Sequence, residues 1–218
     1  MPGALKPLGA GFLPMISRVA GAFGTALDEN ASRRVATWFD LIATWNAKVD
    51  LTAARTAEEL ADLMLADAFV LARHEPTGRT VVDVGSGAGG PGLALHVARP
   101  DLAMTLVEPL QKRVSFLRTV MGQWGRRTGS GSLHVVRARG EDLPNSQAPF
   151  ETAVSRATLP PDPWLRLGER LVSREGAIWV LLARESPPEL GGWKIGVDVP
   201  YVWPLTGAPR RALRYERS

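Results

Sequence analysis

Apolar positions along this chain follow two rhythms, and the change between them divides it. From about Ala31, the residues Trp38, Leu41, Ile42 and Trp45 recur at i, i+3, i+4 and i+7, the spacing of a helix that buries one face. A second helix is predicted from Thr56, where Thr56-Ala57-Glu58-Glu59 has the Ser/Thr-x-x-Glu form of a capping box. Its apolar stripe runs through Leu60, Leu63, Met64, Ala68 and Leu71, and Asp67 falls on the same stripe. A carboxylate there is either a boundary residue at the edge of the face or one aimed at a partner across an interface. Residues 1–11, rich in Gly and Pro, read as a loose arm.

After Pro76-Thr77-Gly78 the period changes to that of strands alternating with helices. Strands are predicted at Thr80–Val84, Ala103–Val107, Ser132–Arg137, Glu151–Val154, Ala177–Ala183, Ile195–Val202 and Ala212–Tyr215. Helices are predicted at Leu93–Ala98, Gln111–Trp124 and near Trp164–Leu171. Such alternation points to an α/β fold, a Rossmann-like, mostly parallel twisted sheet wound on both faces. The organisation expected is an N-terminal arm and helical extension over residues 1–76 and a core over 77–218, packed as one unit.

Composition narrows the chemistry. Without cysteine there is no disulfide framework, thiolate metal site or cysteine nucleophile. His74, His96 and His134 are the three histidines, no two at metal-ligand spacing, so no metal is expected. No run approaches the roughly 18 apolar residues of a membrane span. Lys6 and the apolar patch after it imitate a signal peptide, but Pro7 and Pro14 interrupt the patch and Arg18 follows it. A cytoplasmic, monomeric protein is therefore expected.

The net charge of +4 hides an asymmetry. Between Pro109 and Gly140 stand seven basic residues and no acid: Lys112, Arg113, Arg118, Arg126, Arg127, Arg137 and Arg139. A field of one sign over one region suits a polyanion such as nucleic acid. Arg210, Arg211 and Arg214 near the C-terminus add to it.

The chemistry-bearing motif is Val81-Val82-Asp83-Val84-Gly85-Ser86-Gly87-Ala88-Gly89-Gly90-Pro91-Gly92, between a predicted strand and a predicted helix. Glycines there let the chain turn sharply and a ligand approach the main chain. Glu108 ends the next strand, 21 residues after Gly87, where a carboxylate can accept both hydroxyl hydrogens of a ribose. Gly85, Gly87 and Gly90 also satisfy the G-x-G-x-x-G of a nicotinamide or flavin site. Two features favour S-adenosylmethionine over a dinucleotide. Asp83 can serve a cationic methionine end but would face a pyrophosphate awkwardly, and Pro91 offers no N–H to a phosphate.

These segments together resemble a family. Asp83–Gly92, then Leu106-Val107-Glu108-Pro109 and Lys112–Arg118, are similar to the bacterial small-subunit (16S) rRNA guanine-N7 methyltransferases, the RsmG/GidB family. Trp45-Asn46 with Leu51-Thr52, Arg139-Gly140-Glu141 and Ser155-Arg156-Ala157 match it further, over roughly residues 33–213. The resemblance implies a class I methyltransferase using S-adenosylmethionine on the 16S rRNA or small ribosomal subunit. It implies that Gly85 and Gly90 line the methionine, Glu108 holds the ribose, Gly140 and Glu141 flank the adenine, and Arg156 sits where cofactor and base meet, as the catalytic residue. The arginines Arg113, Arg126, Arg127, Arg210 and Arg211 would contact RNA.

The chain departs from that family at particular places. Of the family's His-x-x-Asp-Ser, Met64-Leu65-Ala66-Asp67-Ala68 keeps the aspartate, and the usual Phe or Leu of the loop is Gly90. The second Asn of the Trp-Asn signature is Asp50, and a lysine expected after the fifth strand is replaced by Ala183-Arg184-Glu185. These sites lie where relatives face RNA or the reacting base. A small-molecule methyltransferase on the same scaffold, and a catalytically silent RNA-binding relative, are the alternatives.

Overall fold

The computed structural model describes residues 5–76, 79–124, 131–143 and 149–218. The chain begins with a short 3-10 turn at Gly9–Phe12 and helix α1 at Leu13–Ala22. The arm expected over residues 1–11 is thus held from Leu8 onward. The amides of Leu8 and Gly9 donate to Asp40 Oδ1 at 2.8 and 3.0 Å, tying the turn to the next helix. Pro14 falls in the first turn of α1, where its missing N–H removes no helical bond. Ile16, Val19 and Ala20 of the supposed leader patch are buried.

Helix α2, Glu29–Val49, starts where the Asp28 carboxylate accepts from the Ala31 amide at 2.6 Å. It ends at Asp50, whose φ of 53° puts it in the left-handed region. Asn46 organises the turn that follows: its Oδ1 accepts from the Leu51 and Thr52 amides at 2.8 and 2.9 Å, and its Nδ2 donates to the Thr52 carbonyl at 3.1 Å. That network is what Asn46 with Leu51-Thr52 encodes. Helix α3, Ala57–Ala72, is capped by Thr56, whose hydroxyl accepts from the Glu59 amide at 3.1 Å. Glu59 returns a bond to the amide of Arg55 rather than Thr56, at 2.7 Å, a one-residue variation on the capping box.

Next come strand β1 (Thr80–Val84), helix α4 (Gly92–Ala98), strand β2 (Ala103–Val107), helix α5 (Gln111–Trp124) and strand β3 (Leu133–Val136). They are followed by β4 (Phe150–Ser155), α6 (Pro161–Leu171), β5 (Val172–Leu182), β6 (Trp193–Val202) and β7 (Pro209–Arg217). The described strands form one sheet in the order β3-β2-β1-β4-β5-β7-β6. The first five are mutually parallel; β7 runs antiparallel to both β5 and β6.

Adjacent residues of each strand bury on opposite faces. Val81, Met104, Val154 and Trp179 join the helices α1–α5 in one core, while Val82, Val107, Ala153 and Ile178 join α6 in the other. Such two-sided burial explains why β1 reads as an almost unbroken apolar run. No helix among the described residues is long and apolar enough to cross a membrane.

Candidate functional site: a crevice at the reversal of strand order

Strand order reverses between β1 and β4, and ligands of such sheets bind beyond the carboxyl ends of the strands at that point. Register aligns those ends. Val84 pairs with Val107 on one side and with Ser155 on the other, so Gly85, Glu108 and Arg156 are the next residues of three neighbouring strands. Three segments separated in sequence are thereby brought to one edge.

The glycine loop is half-buried to buried and closely packed. Gly85 has a φ of 75°, and a Cβ there would stand 2.0 Å from Thr158 Oγ1. Gly87 has a φ of 54°, and a Cβ there would meet nothing nearer than the Gly85 carbonyl oxygen at 3.8 Å. From the helical lobe, the buried Trp38 donates its indole N–H to the Ala88 carbonyl at 2.8 Å and packs beside Gly89. Gly90 lies against Met64 and Arg156, each 3.2 Å from where its Cβ would be. Two of the family departures, Met64 and Gly90, are therefore neighbours.

Asp83 is fully buried; its Oδ2 accepts from the Gly92 amide at 3.1 Å, while Oδ1 has no hydrogen-bond partner. Burial pushes this carboxyl up to about 7, against the pull of the Ser86 hydroxyl, Arg156 and the Gly92 amide. Glu108 is also buried, its Oε2 accepting from the Gly87 amide at 3.0 Å and its Oε1 from Leu110 at 2.9 Å. Gly140 is buried at the start of a 3-10 turn that exposes Glu141. A Cβ on Gly140 would lie 2.7 Å from a Val84 methyl, so close packing on β1 demands glycine there.

Arg156 joins the loop to a second space. Its guanidinium donates to the Leu63 carbonyl and lies 3.6 Å from Asp67 Oδ2. The next residue, Ala157, has a φ of 53°, a left-handed conformation that turns the chain sharply after β4. Beside Arg156 is a cavity of about 410 Å³, lined among others by Asp67, Trp164, Glu185, Tyr201, Trp203 and Arg210. Asp67, on the apolar stripe of α3, does meet a partner across an interface. Its Oδ1 accepts from the Tyr201 hydroxyl at 2.8 Å and the Trp203 indole N–H at 3.0 Å. Burial and the Asp67 charge push the Tyr201 hydroxyl up, so it remains a donor. Five residues earlier in α3, Asp62 accepts from the Leu205 and Thr206 amides and the Thr206 hydroxyl, clamping the same hairpin.

Of the arginines expected on an RNA surface, Arg126 and Arg127 lie outside the described residues. Arg113 donates to the Asp50 carbonyl at 2.9 Å, bracing α5 against the end of α2. Arg211 is paired with Asp198 at 2.5 Å. Arg210 lies over the Trp203 ring, 3.8 Å from its centroid. Lys112 and Arg118 in α5, and Arg137 and Arg139 just after β3, are exposed.

Trp38, Tyr201 and Trp203 are site residues that the motifs did not single out. Tyr201 and Trp203 stand two apart before the turn sequence Pro204-Leu205-Thr206-Gly207, so one face of a hairpin strand carries both aromatics. Trp38 gives no such signal, because its partner is a main-chain carbonyl in a distant loop.

Comparison with known proteins agrees with this layout. The family model described as rRNA small subunit methyltransferase G (GidB) matches residues 32–194. A Ribosomal RNA small subunit methyltransferase G of Anaeromyxobacter dehalogenans is 34% identical over 221 aligned residues, 96% of this chain and 99% of that protein. One from Methylobacillus flagellatus is 33% identical over 76% of this chain and 78% of its own length. In fold, the chain resembles the crystal structure of a SAM-dependent methyltransferase from Aquifex aeolicus, with a TM-score of 0.52 at 14% identity over 72% of this chain and 92% of that one. With the family model matched over most of the chain and a relative 34% identical over 96% of it, the chain belongs to the rRNA small subunit methyltransferase G family.

Proposed function

We propose that this protein transfers a methyl group from S-adenosylmethionine to N7 of a guanine in small-subunit (16S) rRNA. The observation that carries the reading is the position of Arg156, between the glycine loop at Gly90 and the cavity edged by Asp67, Tyr201 and Trp203. Donor and acceptor sites meeting at one side chain are what a direct transfer needs.

The residues suit the cofactor. Half-buried glycine backbone at Gly85 and Gly87 admits close approach, Asp83 Oδ1 is a buried acceptor in want of a donor such as an ammonium, and Glu108 follows β2 at the position that suits a ribose. When bound, S-adenosylmethionine supplies an electrophilic methyl group on a sulfonium. Guanine N7 carries a lone pair and no proton, so the site needs no general base. The absence of cysteine and scarcity of histidine in the chain are compatible with that chemistry. What the protein contributes is placement, worth about 7–11 kcal/mol when two reactants are held in line. Asp67 fixes the wall of the acceptor cavity and Arg156 its cofactor end.

The RNA surface in this reading is formed by Lys112, Arg118, Arg137 and Arg139, with Arg210 at the cavity mouth. Phosphate contacts of this kind position the RNA without reading its sequence. The enzyme in this reading is a cytoplasmic monomer. Purified protein, labelled donor and small-subunit RNA, free or assembled, test the activity. Label is expected on N7 of one guanine, detected by strand scission after borohydride and aniline treatment. Transfer to another atom, or none to either RNA form, refutes it.

A further inference from the structure

The acceptor cavity has two carboxylates on its lining, Asp67 and Glu185, and they are not equivalent. Asp67 is spent within the protein: Oδ1 takes the Tyr201 and Trp203 donors and Oδ2 faces Arg156. Glu185 follows the end of β5. Its Oε2 accepts from the Ala183 and Arg184 amides at 2.7 and 3.0 Å, and Oε1 takes part in neither bond. The turn therefore presents a carboxylate whose orientation is fixed by backbone and whose second oxygen has two lone pairs to offer.

Strand order supplies the direction. Along the carboxyl edge of the sheet, the glycine loop follows β1, Arg156 follows β4, and Glu185 lies beyond β5. Glu185 is thus two strands from the cofactor loop, about 10 Å at the usual spacing. A guanine with N7 turned toward the loop has its 2-amino group on the opposite side of the ring, with N1–H beside it. Both are donors, and both then point along the sheet toward β5. An adenine in the same pose would turn its N1 lone pair to that side instead.

We propose that Glu185 reads the Watson–Crick edge of the acceptor guanine, its Oε1 accepting from N1–H and the 2-amino group. Enzymes that take a base out of its stack read it in this way, by its Watson–Crick edge within a pocket of aromatic and apolar side chains. The backbone amides of Glu185, Ala183 and Arg184, together with nearby Arg210, hold the carboxyl below the usual range, keeping it an acceptor. Its negative charge also suits a product base that becomes cationic on methylation at N7. The inference rests on guanine-N7 transfer as proposed above.

The test uses the full chain and small-subunit RNA. After the methylated guanine is mapped with wild-type protein, RNA ligated to carry inosine at that one position removes only the 2-amino group. Wild-type kcat/KM is expected to fall at least about ten-fold on the inosine RNA, the loss of a hydrogen bond to a charged acceptor. In Glu185→Ala the activity on guanosine RNA should fall by a similar factor and the guanosine-to-inosine ratio collapse toward one. S-adenosylmethionine affinity by calorimetry should stay within two-fold of wild type, which shows that the variant is folded. Glu185→Gln can keep the turn by accepting the same two amide bonds but turns its NH₂ on the donors of the base, so it too should lose the preference. Full activity in Glu185→Gln, or an unchanged ratio in Glu185→Ala, makes Glu185 a turn residue and overturns the inference while N7 transfer stands. If wild-type protein methylates no guanine at N7, both fall together.

Discussion

The indole N–H of Trp38 and the carbonyl of Ala88 are joined by a 2.8 Å hydrogen bond that spans 50 residues. It fastens the helical N-terminal segment directly to the glycine loop. Trp38 is fully buried, and its ring also meets Trp124 edge-on at 6.2 Å. Trp38→Phe keeps most of the packing and leaves the Ala88 carbonyl without its donor, at a cost of about 1–3 kcal/mol. A lower melting temperature and a weaker S-adenosylmethionine affinity are expected together. Calorimetry and thermal unfolding of the same samples check both.

Gly85→Ala meets two obstacles. A residue with a side chain resists a φ of 75°, and the new methyl would overlap Thr158. Methyl transfer should fall by at least about a hundred-fold, roughly the rate equivalent of a 3 kcal/mol perturbation at the site. The loss should appear mainly in cofactor affinity, read by titration calorimetry.

Asp83 makes cofactor binding depend on pH. Its folded pKa is pushed above the unfolded value to about 7, so it favours the fold fully below about 3.8, and that contribution is lost as pH rises through about 7. Asp83→Asn should therefore flatten the fall in melting temperature between pH 5 and 8. An ammonium bound at Oδ1 prefers the ionised carboxylate. Wild-type affinity for S-adenosylmethionine should thus rise from pH 5.5 to 7.5, and the asparagine variant should show little of that rise.

Asp67 is expected to separate stability from turnover. Asp67→Asn keeps an acceptor for Tyr201 and Trp203 but sets an amide beside Arg156 in place of a charge. A kcat at least about ten-fold lower, with cofactor affinity nearly unchanged, is the outcome to look for. Asp67→Ala strands two buried donors and should cost about 3 kcal/mol or more in denaturant unfolding.

Surface cations with and without a carboxylate partner should differ in salt dependence. Removing Lys112, Arg118 or Arg137 should each lower the slope of log affinity for RNA against log salt by about 0.7–0.9. Arg211→Ala should lower it less, since Asp198 already neutralises that side chain at 2.5 Å. Equal slopes for all four variants would count against an RNA surface centred on α5.

The sequence alone determined the layered sheet, because burial on both faces writes itself as apolar runs such as Thr80–Val84 and helical stripes such as Gln111–Trp124. It also made the glycine loop legible, since positive φ at Gly85 and Gly87 favours glycine there and the spacing to Glu108 is set by one strand–helix–strand unit. Those are local constraints. Helix α1 escaped notice because Pro7, Pro14 and several glycines obscure its stripe, yet Asp40 and the core behind it hold the segment. Tertiary structure alone decided the cavity beside Arg156. Asp67 and Tyr201 are 134 residues apart, and their contact follows from β7 turning back beside β5 and carrying β6 with it. Only the same strand pairing sets which cations are spent, as Arg211 diagonally across the β6–β7 ladder from Asp198, and which remain to bind. Periodicity records how much of a residue is buried; it does not record against what, and the chemistry of this site is settled by the second.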